Sequence, residues 1–252
     1  MRSGKVSAVT NANTEPIEAV LFDWGGTLAT WHDISLYETW RAVTALLHPD
    51  NPGIADEFAA RLVAAEGTVW RRSRDEHRSS TLEEVCALAE VVMTPAALAE
   101  YERQWDPHTE LEPDAVDTLR VLRNRGLKVG VLSNTLWPRR RHEEVFARDG
   151  VLDLLDGAVY TSEIAHTKPH PEAFLAAMRA VGVSEPSRCL FVGDRLFDDV
   201  WGAQNAGMRA AHLPHSAIPQ EQIGHTEGTP DATVQRLAEL PPLIDSWNEA
   251  AA

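Results

Sequence analysis

Short apolar runs and helically spaced apolar positions take turns along most of this chain. Val20-Leu21-Phe22 ends on Asp23, the run 127–132 ends on Ser133-Asn134, and Leu190-Phe191-Val192 ends on Gly193-Asp194. Runs of this length, closed by polar or glycine positions, predict strands buried on both faces. Residues 158–160 and 210–213 predict two more. Helical spacing fills the intervals. Val116, Leu119 and Leu122 predict a helix that stops at Gly126, and 139–148 predicts a second. Phe174, Leu175 and Met178 mark a third over 171–181 with Gly182 as its stop, and a fourth over 200–206 ends at Gly207. This alternation specifies an α/β architecture, a parallel sheet covered by helices. The apolar pieces of 234–243 are expected to close the sheet edge.

One block breaks the alternation. Residues 31–110 contain helical spacing and no good strand: Leu36, Trp40, Val43 and Leu47, then Phe58 and Leu62. Ser80-Thr81-Leu82-Glu83 reads as a capping box, with Val85, Leu88 and Val92 as the stripe behind it. Thr94-Pro95 gives an N-cap with proline at the first helical position, followed by Leu98, Tyr101 and Trp105. The expected organisation is a loose tail at 1–16, an α/β core from 17–30 and 111–252, and a helical bundle inserted at 31–110.

Composition narrows the functional classes. A net charge of −15 argues against a nucleic-acid partner. No run approaches the ~18 apolar residues that a membrane helix needs. The polar first sixteen residues contain no apolar signal segment. Two cysteines, Cys86 and Cys189, read as reduced thiols, so the expectation is a cytoplasmic protein. Composition leaves monomer and homodimer equally open.

The strand ends carry the candidate chemistry. Parallel strands place Asp23, Ser133-Asn134 and Asp194 on one rim, where open α/β sheets bind ligands. Asp198 and Asp199 follow at the start of the next helix. Converging carboxylates repel unless a cation joins them, and an all-oxygen site of this kind suits Mg2+. Lys168, one of three lysines in the chain, sits in the loop His166-Thr167-Lys168-Pro169-His170-Pro171 and would add a fixed positive charge. Singly, each group reads as a loop or solvated residue. Together, carboxylate, cation, hydroxyl and lysine cradle a phosphoryl group, with Asp23 as a covalent nucleophile.

In this order the motifs resemble those of the haloacid dehalogenase (HAD) superfamily over nearly all of 17–245. Asp23-Trp24-Gly25-Gly26-Thr27 matches the first motif, Ser133 the second, Lys168-Pro169 the third, and Gly193-Asp194 with Asp199 the fourth, with Asp198 as a rival. The resemblance implies a Rossmann-like core with an α-helical cap of the C1 type. It also implies a Mg2+-dependent hydrolase acting on a small phosphorylated metabolite. Asp23, Ser133 and Lys168 would be catalytic, and Thr27, Ser133, Asn134 and Lys168 would hold the phosphoryl group. Magnesium would be bound by Asp23, the Gly25 carbonyl, Asp194 and Asp199.

Gly25 departs from the family pattern. Phosphatases of the family usually carry an aspartate there, as acid to the leaving group and base to water. General acid–base help is worth roughly 10²–10⁴ in rate. Its loss implies a slow phosphatase, a replacement acid from His32, Asp33 or His77, or a catalytically weak ligand-binding or regulatory protein. Phosphonoacetaldehyde hydrolases also lack that aspartate but need a cap lysine, and 31–110 contains none. Dehalogenases use no metal and lack the acid at the position of Asp194, which is present. The arginines 71, 72, 74 and 78 read as a solvated face, as do Arg139-Arg140-Arg141. Arg195 reads as an ion-pair partner for a neighbouring acid.

Overall fold

The computed structural model describes residues 15–30, 32, 34–214 and 228–251. Asp33 and most of the expected tail lie outside them.

Five strands follow the alternation in the sequence: β1 (Ala19–Phe22), β2 (Lys128–Ser133), β3 (Gly157–Tyr160), β4 (Cys189–Gly193) and β5 (Arg209–His212). A two-residue strand, β6 (Ala232–Thr233), completes a parallel sheet ordered β3-β2-β1-β4-β5-β6. Strand order reverses between β1 and β4, and ligands of doubly wound sheets sit in the crevice at that reversal, beyond the carboxyl ends of the strands. Phe22 pairs with Val131 and Val192. The residues just after β1 and β4 are therefore neighbours on one rim.

Alternation along β1 sends its side chains to two cores. Val20 and Phe22 join Val129, Val131, Leu190 and Val192 on one face. Ala19 and Leu21 join Leu132, Phe191 and Ala210 on the other. Helices α5 (Ala115–Asn124), α6 (Arg139–Arg148), α7 (Pro171–Ala180) and α9 (Leu240–Ala251) cover these faces. The edge strand forms earlier than expected. Of the 234–243 segment, Val234, Leu237 and Leu240 pack into the core, and only the Val234 N–H still reaches the sheet, donating to the His212 carbonyl at 2.9 Å.

Between β1 and α5 lie α1 (Leu36–Leu47), α2 (Pro52–Glu76), α3 (Leu82–Leu88) and α4 (Pro95–Trp105). They enclose a third apolar cluster built on Trp40, Val43, Leu62, Val69, Val85 and Tyr101, with Leu136 from the core. The chain enters and leaves this insertion through paired linkers. Thr30 N–H donates to the Glu110 carbonyl (2.8 Å) and Glu112 N–H to the Leu28 carbonyl (2.9 Å).

Two local expectations fail here. Thr81, not Ser80, caps α3, its hydroxyl accepting from Glu84 N–H at 3.2 Å. The stripe also stops early: Leu88 and Val92 are exposed and Val91 is buried instead. The helix ends in a Schellman turn, with Val91 N–H bonded to the Cys86 carbonyl (2.9 Å) and Glu90 N–H to the Ala87 carbonyl (3.1 Å). Glu90 takes the left-handed position, φ 54°, where glycine is usual, so the stop has no compositional signal.

The insertion core holds a buried carboxyl. Glu66 accepts from Trp40 Nε1 (2.7 Å) and Trp70 Nε1 (3.3 Å). Burial raises its pKa, against the lowering effect of the two indoles. A raised carboxyl pKa stabilises the fold below the unfolded value and loses that contribution as pH rises through the folded value. Stability is therefore expected to decline from about pH 4.5 upward. Glu66→Gln should flatten that decline, as read by urea unfolding at pH 5 and pH 8. An unchanged slope would assign the pH dependence to other groups.

Candidate active site

The apolar run of β1 delivers Asp23 to the rim, where its N–H donates to the Val192 carbonyl at 2.9 Å. The chain then folds into a tight turn, with Leu28 and Ala29 N–H donating to the Trp24 carbonyl at 3.0 and 2.9 Å. Gly26 in that turn has φ +90°, and a Cβ there would sit 2.6 Å from Asp194 Oδ2. Glycine is thus required by conformation and by space.

After β4 the chain makes a π-helical turn, Leu196–Trp201, before α8 (Gly202–Asn205). Its i→i+5 bond runs from Val200 N–H to the Arg195 carbonyl, 3.2 Å. The helical region thus begins before the expected residue 200, and the π-turn brings Asp199 inward. Asp199 lies against Gly193, where a Cβ would overlap its carboxylate. Asp199 Oδ2 accepts Arg195 N–H at 2.9 Å. Asp198 points away to the Arg195 guanidinium, 3.6 Å.

Lys168 completes the group. Its Nζ donates to Asp23 Oδ1 (2.6 Å) and Asp199 Oδ1 (2.7 Å), all three side chains being buried. Burial alone would depress the ammonium pKa, but Asp199 and Asp23 outweigh it and hold the pKa above the ordinary lysine value. Burial, reinforced by Asp199 and Asp23, pushes Asp194 well above the carboxylate range. Ligand oxygens of Asp23, Asp194 and Asp199 all lie within 4.8 Å of one another. Asp194 Oδ2 is buried with no hydrogen-bond partner. A divalent cation fits this set: hard oxygen donors, one of them unsatisfied, and more negative charge than Lys168 balances.

The sequence matches the haloacid dehalogenase-like hydrolase family over residues 17–207. The chain belongs to that family. It is 27% identical over 225 residues to a glyceraldehyde 3-phosphate phosphatase of Methanopyrus kandleri, spanning 89% of this chain and 95% of that protein. A phosphatase of Mycobacterium tuberculosis is 38% identical over 134 residues, 53% of this chain and 55% of that protein. Among solved structures, a HAD phosphatase from Thermococcus onnurineus aligns with a TM-score of 0.62 at 24% identity, over 90% of this chain and 98% of that one. L-2-haloacid dehalogenase from Xanthobacter autotrophicus aligns at 0.58 with 22% identity, over 91% and 98%. At such identities both structures speak for a shared fold alone, and the reaction must be argued from the site.

Within this HAD-like site two expected phosphate ligands are engaged elsewhere. Asn134 grips the backbone of Lys168: its Nδ2 donates to the Lys168 carbonyl (3.1 Å) and its Oδ1 accepts Lys168 N–H (2.9 Å). Thr27 Oγ1 is buried and faces Asp194 Oδ1 at 3.5 Å. Ser133, at the end of β2, is buried on the same rim. Gly25 contributes backbone only. Of the replacement acids, His32 is exposed near Glu110, 3.9 Å, beside the linkers. His77 lies at the end of α2, its carbonyl accepting Thr167 N–H at 3.0 Å.

The arginines of α6 do more than face solvent. Arg140 pairs with Glu102 (2.5 Å) and Arg141 with Asp106 (2.5 Å), joining α6 to the end of the insertion. In the insertion, Arg72 braces the α2–α3 corner through Ser80 Oγ (2.6 Å) and Glu84 (2.8 Å), whereas Arg71, Arg74 and Arg78 are exposed. Sequence reading missed Ser73 and Thr167. A serine among arginines and a threonine beside a lysine carry no spacing signal, and their partnership spans 94 residues.

Proposed function

We propose that the protein is a magnesium-dependent phosphatase acting on a small phosphate ester, with Asp23 as nucleophile. The observation that carries this reading is the buried Asp23–Lys168–Asp199 bridge beside an unsatisfied Asp194 oxygen. The similarity to proteins named as phosphatases supports the choice of phosphorus as the electrophile. Asp23, Asp194 and the Gly25 carbonyl would hold the ion, with Asp199 beside them. When bound, magnesium supplies positive charge against the phosphoryl oxygens.

The chain's own groups do the rest. An Asp23 oxygen forms a bond to phosphorus as the bond from phosphorus to the leaving oxygen breaks, giving an aspartyl-phosphate. Lys168 and Ser133 hold the phosphoryl oxygens, and Asn134 holds the Lys168 backbone. Water then attacks the phosphorus as the bond from phosphorus to the Asp23 oxygen breaks, releasing phosphate and restoring the carboxylate, with the proton lost by water and the one gained by the leaving oxygen both exchanged with solvent. Assay against a panel of phosphate esters with and without magnesium tests the reading. Turnover of 2-haloacids with no phosphatase activity would overturn it.

Gly25 bears on rate. With no side chain there to protonate the leaving oxygen, turnover should fall steeply as the leaving group becomes more basic. Gly25→Asp is expected to raise kcat on alkyl phosphates by about 10²-fold, with a smaller gain on p-nitrophenyl phosphate. Equal effects on both substrates would deny residue 25 any part in proton transfer. Gly25 also favours a second reading, a ligand-binding or regulatory protein that retains magnesium and phosphate affinity. Calorimetric binding without any wild-type turnover would select it.

A further inference from the structure

The loop that carries Lys168 is held from two sides. Asn134 grips residue 168 from the core. The insertion grips residue 167. Ser73, in the last turn of α2, donates through its hydroxyl to Thr167 Oγ1 (3.0 Å), which faces the Ser73 carbonyl at 3.4 Å. Both side chains are buried, at 7% and 2% exposure. Thr167 N–H donates to the His77 carbonyl, 3.0 Å, and Ser79 N–H to the Ala165 carbonyl, 3.2 Å. The Ser79 hydroxyl donates to the Ile164 carbonyl, and Arg78 and His166 form an antiparallel bridge. His77 ends α2 in the left-handed region, φ 54°, a conformation that costs any non-glycine residue free energy. A strained residue persists where its surroundings over-determine it. Here the strained residue supplies the carbonyl that receives Thr167.

We infer that Ser73 and Thr167 are positioning residues, which register the Lys168 ammonium against Asp23 and Asp199 only when the insertion is seated. The link is one peptide long. If α2 lifts, Thr167 loses the partners of both its hydroxyl and its N–H. Lys168 is then tethered by Asn134 alone on its backbone. An unmade buried hydrogen bond is expensive, so the seated insertion and the placed ammonium stabilise each other. The consequence for turnover rests on the phosphatase reading; the coupling itself does not.

The test uses Thr167→Val, which keeps shape and backbone N–H but removes the hydroxyl, with Thr167→Ser as the conservative variant. Ser73→Ala attacks the same pair from the insertion. Amide hydrogen exchange without substrate is expected to quicken about tenfold at residues 167–168 in Thr167→Val, the cost of leaving the buried Ser73 hydroxyl unpaired, and less in Ser73→Ala, where the Thr167 hydroxyl keeps the Ser73 carbonyl. Interior amides of β2 should hold their wild-type rates, which excludes general loosening. On a magnesium-dependent phosphate ester, kcat should fall about tenfold with KM within about twofold, and Thr167→Ser should restore both. Unchanged exchange at 167–168 in both disrupting variants would overturn the coupling. A loss confined to KM, or Thr167→Ser as impaired as Thr167→Val, would overturn the positioning role. A wild-type protein without phosphatase turnover would sink the functional reading and leave the exchange measurement to decide the coupling.

Discussion

Asp23→Asn is expected to lower kcat by ~10⁴-fold or more, because in the proposed mechanism the variant replaces the attacking carboxylate with a non-nucleophilic amide. The fold should survive. Asn at this position still ends β1, its N–H still meets the Val192 carbonyl, and Lys168 keeps Asp199 as a partner at 2.7 Å. Removing one of three clustered carboxylates also relieves repulsion with Asp194 and Asp199. Unfolding free energy in the absence of metal should therefore stay within about 1 kcal/mol of wild type, or rise. The decisive measurement pairs kcat on a phosphate ester with mass spectrometry of acid-quenched enzyme. A phosphoryl adduct should map to Asp23 in the wild type and vanish in the variant. Turnover within tenfold of wild type would remove Asp23 from the nucleophile's role.

Lys168→Met should have the largest effect on stability. Methionine fills the same apolar path but leaves Asp23 and Asp199 without their shared counter-charge, in a site where both are buried. Breaking a buried ion pair by removing one partner costs about 3–5 kcal/mol. The loss should be greatest in chelator at neutral pH. Lys168 is held above the ordinary lysine pKa, so its charge is lost only in strong alkali, whereas burial raises Asp199 to about 6 and the bridge loses that carboxylate's charge in mild acid. In the proposed site magnesium would offer a second counter-charge. A ligand that binds the folded state alone at 100 times its Kd adds about 2.7 kcal/mol, so saturating magnesium should recover part of the deficit. Urea unfolding in chelator and in magnesium checks both claims. Equal stability of wild type and Lys168→Met in chelator would show that the carboxylates do not depend on the ammonium.

Some of these features are legible from local sequence because their cause is local. Strands β1, β2 and β4 are short apolar runs closed by polar residues, and that pattern follows from burial on both faces. Gly126, Gly182 and Gly207 end helices with φ near +80 to +90°, a conformation that selects glycine, so their positions are readable. Glu90 performs the same stop at φ 54° without the residue type that would announce it. The capping residue of α3 slipped by one position because Ser80 and Thr81 both precede a glutamate at capping distance, and only the bond to Glu84 N–H separates them.

Residue chemistry narrows the site less than strand order does. Ser, Thr and Asn at a strand end are equally able to meet an anion, a metal acid or a backbone. Thr27 meets Asp194, and Asn134 meets the Lys168 backbone, because loops distant in sequence fill the space beside them. Adjacent carboxylates Asp198 and Asp199 are equivalent as text. The π-turn separates them, burying Asp199 against Gly193 and leaving Asp198 to Arg195. The arginines of α6 likewise have the composition of a solvated face, and they join the insertion only because it folds back over them.

The sequence by itself determined the alternating α/β core, the helical insertion after β1, and the residue types available on the rim. Those outcomes depend on periodicity, turn conformation and strand length, which act within a few residues. Tertiary structure alone decided which of those residues share a carboxylate cluster, which serve as braces, and how the insertion reaches Thr167. Such choices depend on pairings such as Asp23 with Lys168, 145 residues apart, and Ser73 with Thr167, 94 apart. Contacts at that range exist only once the sheet order and the packing of α2 bring the chain segments together.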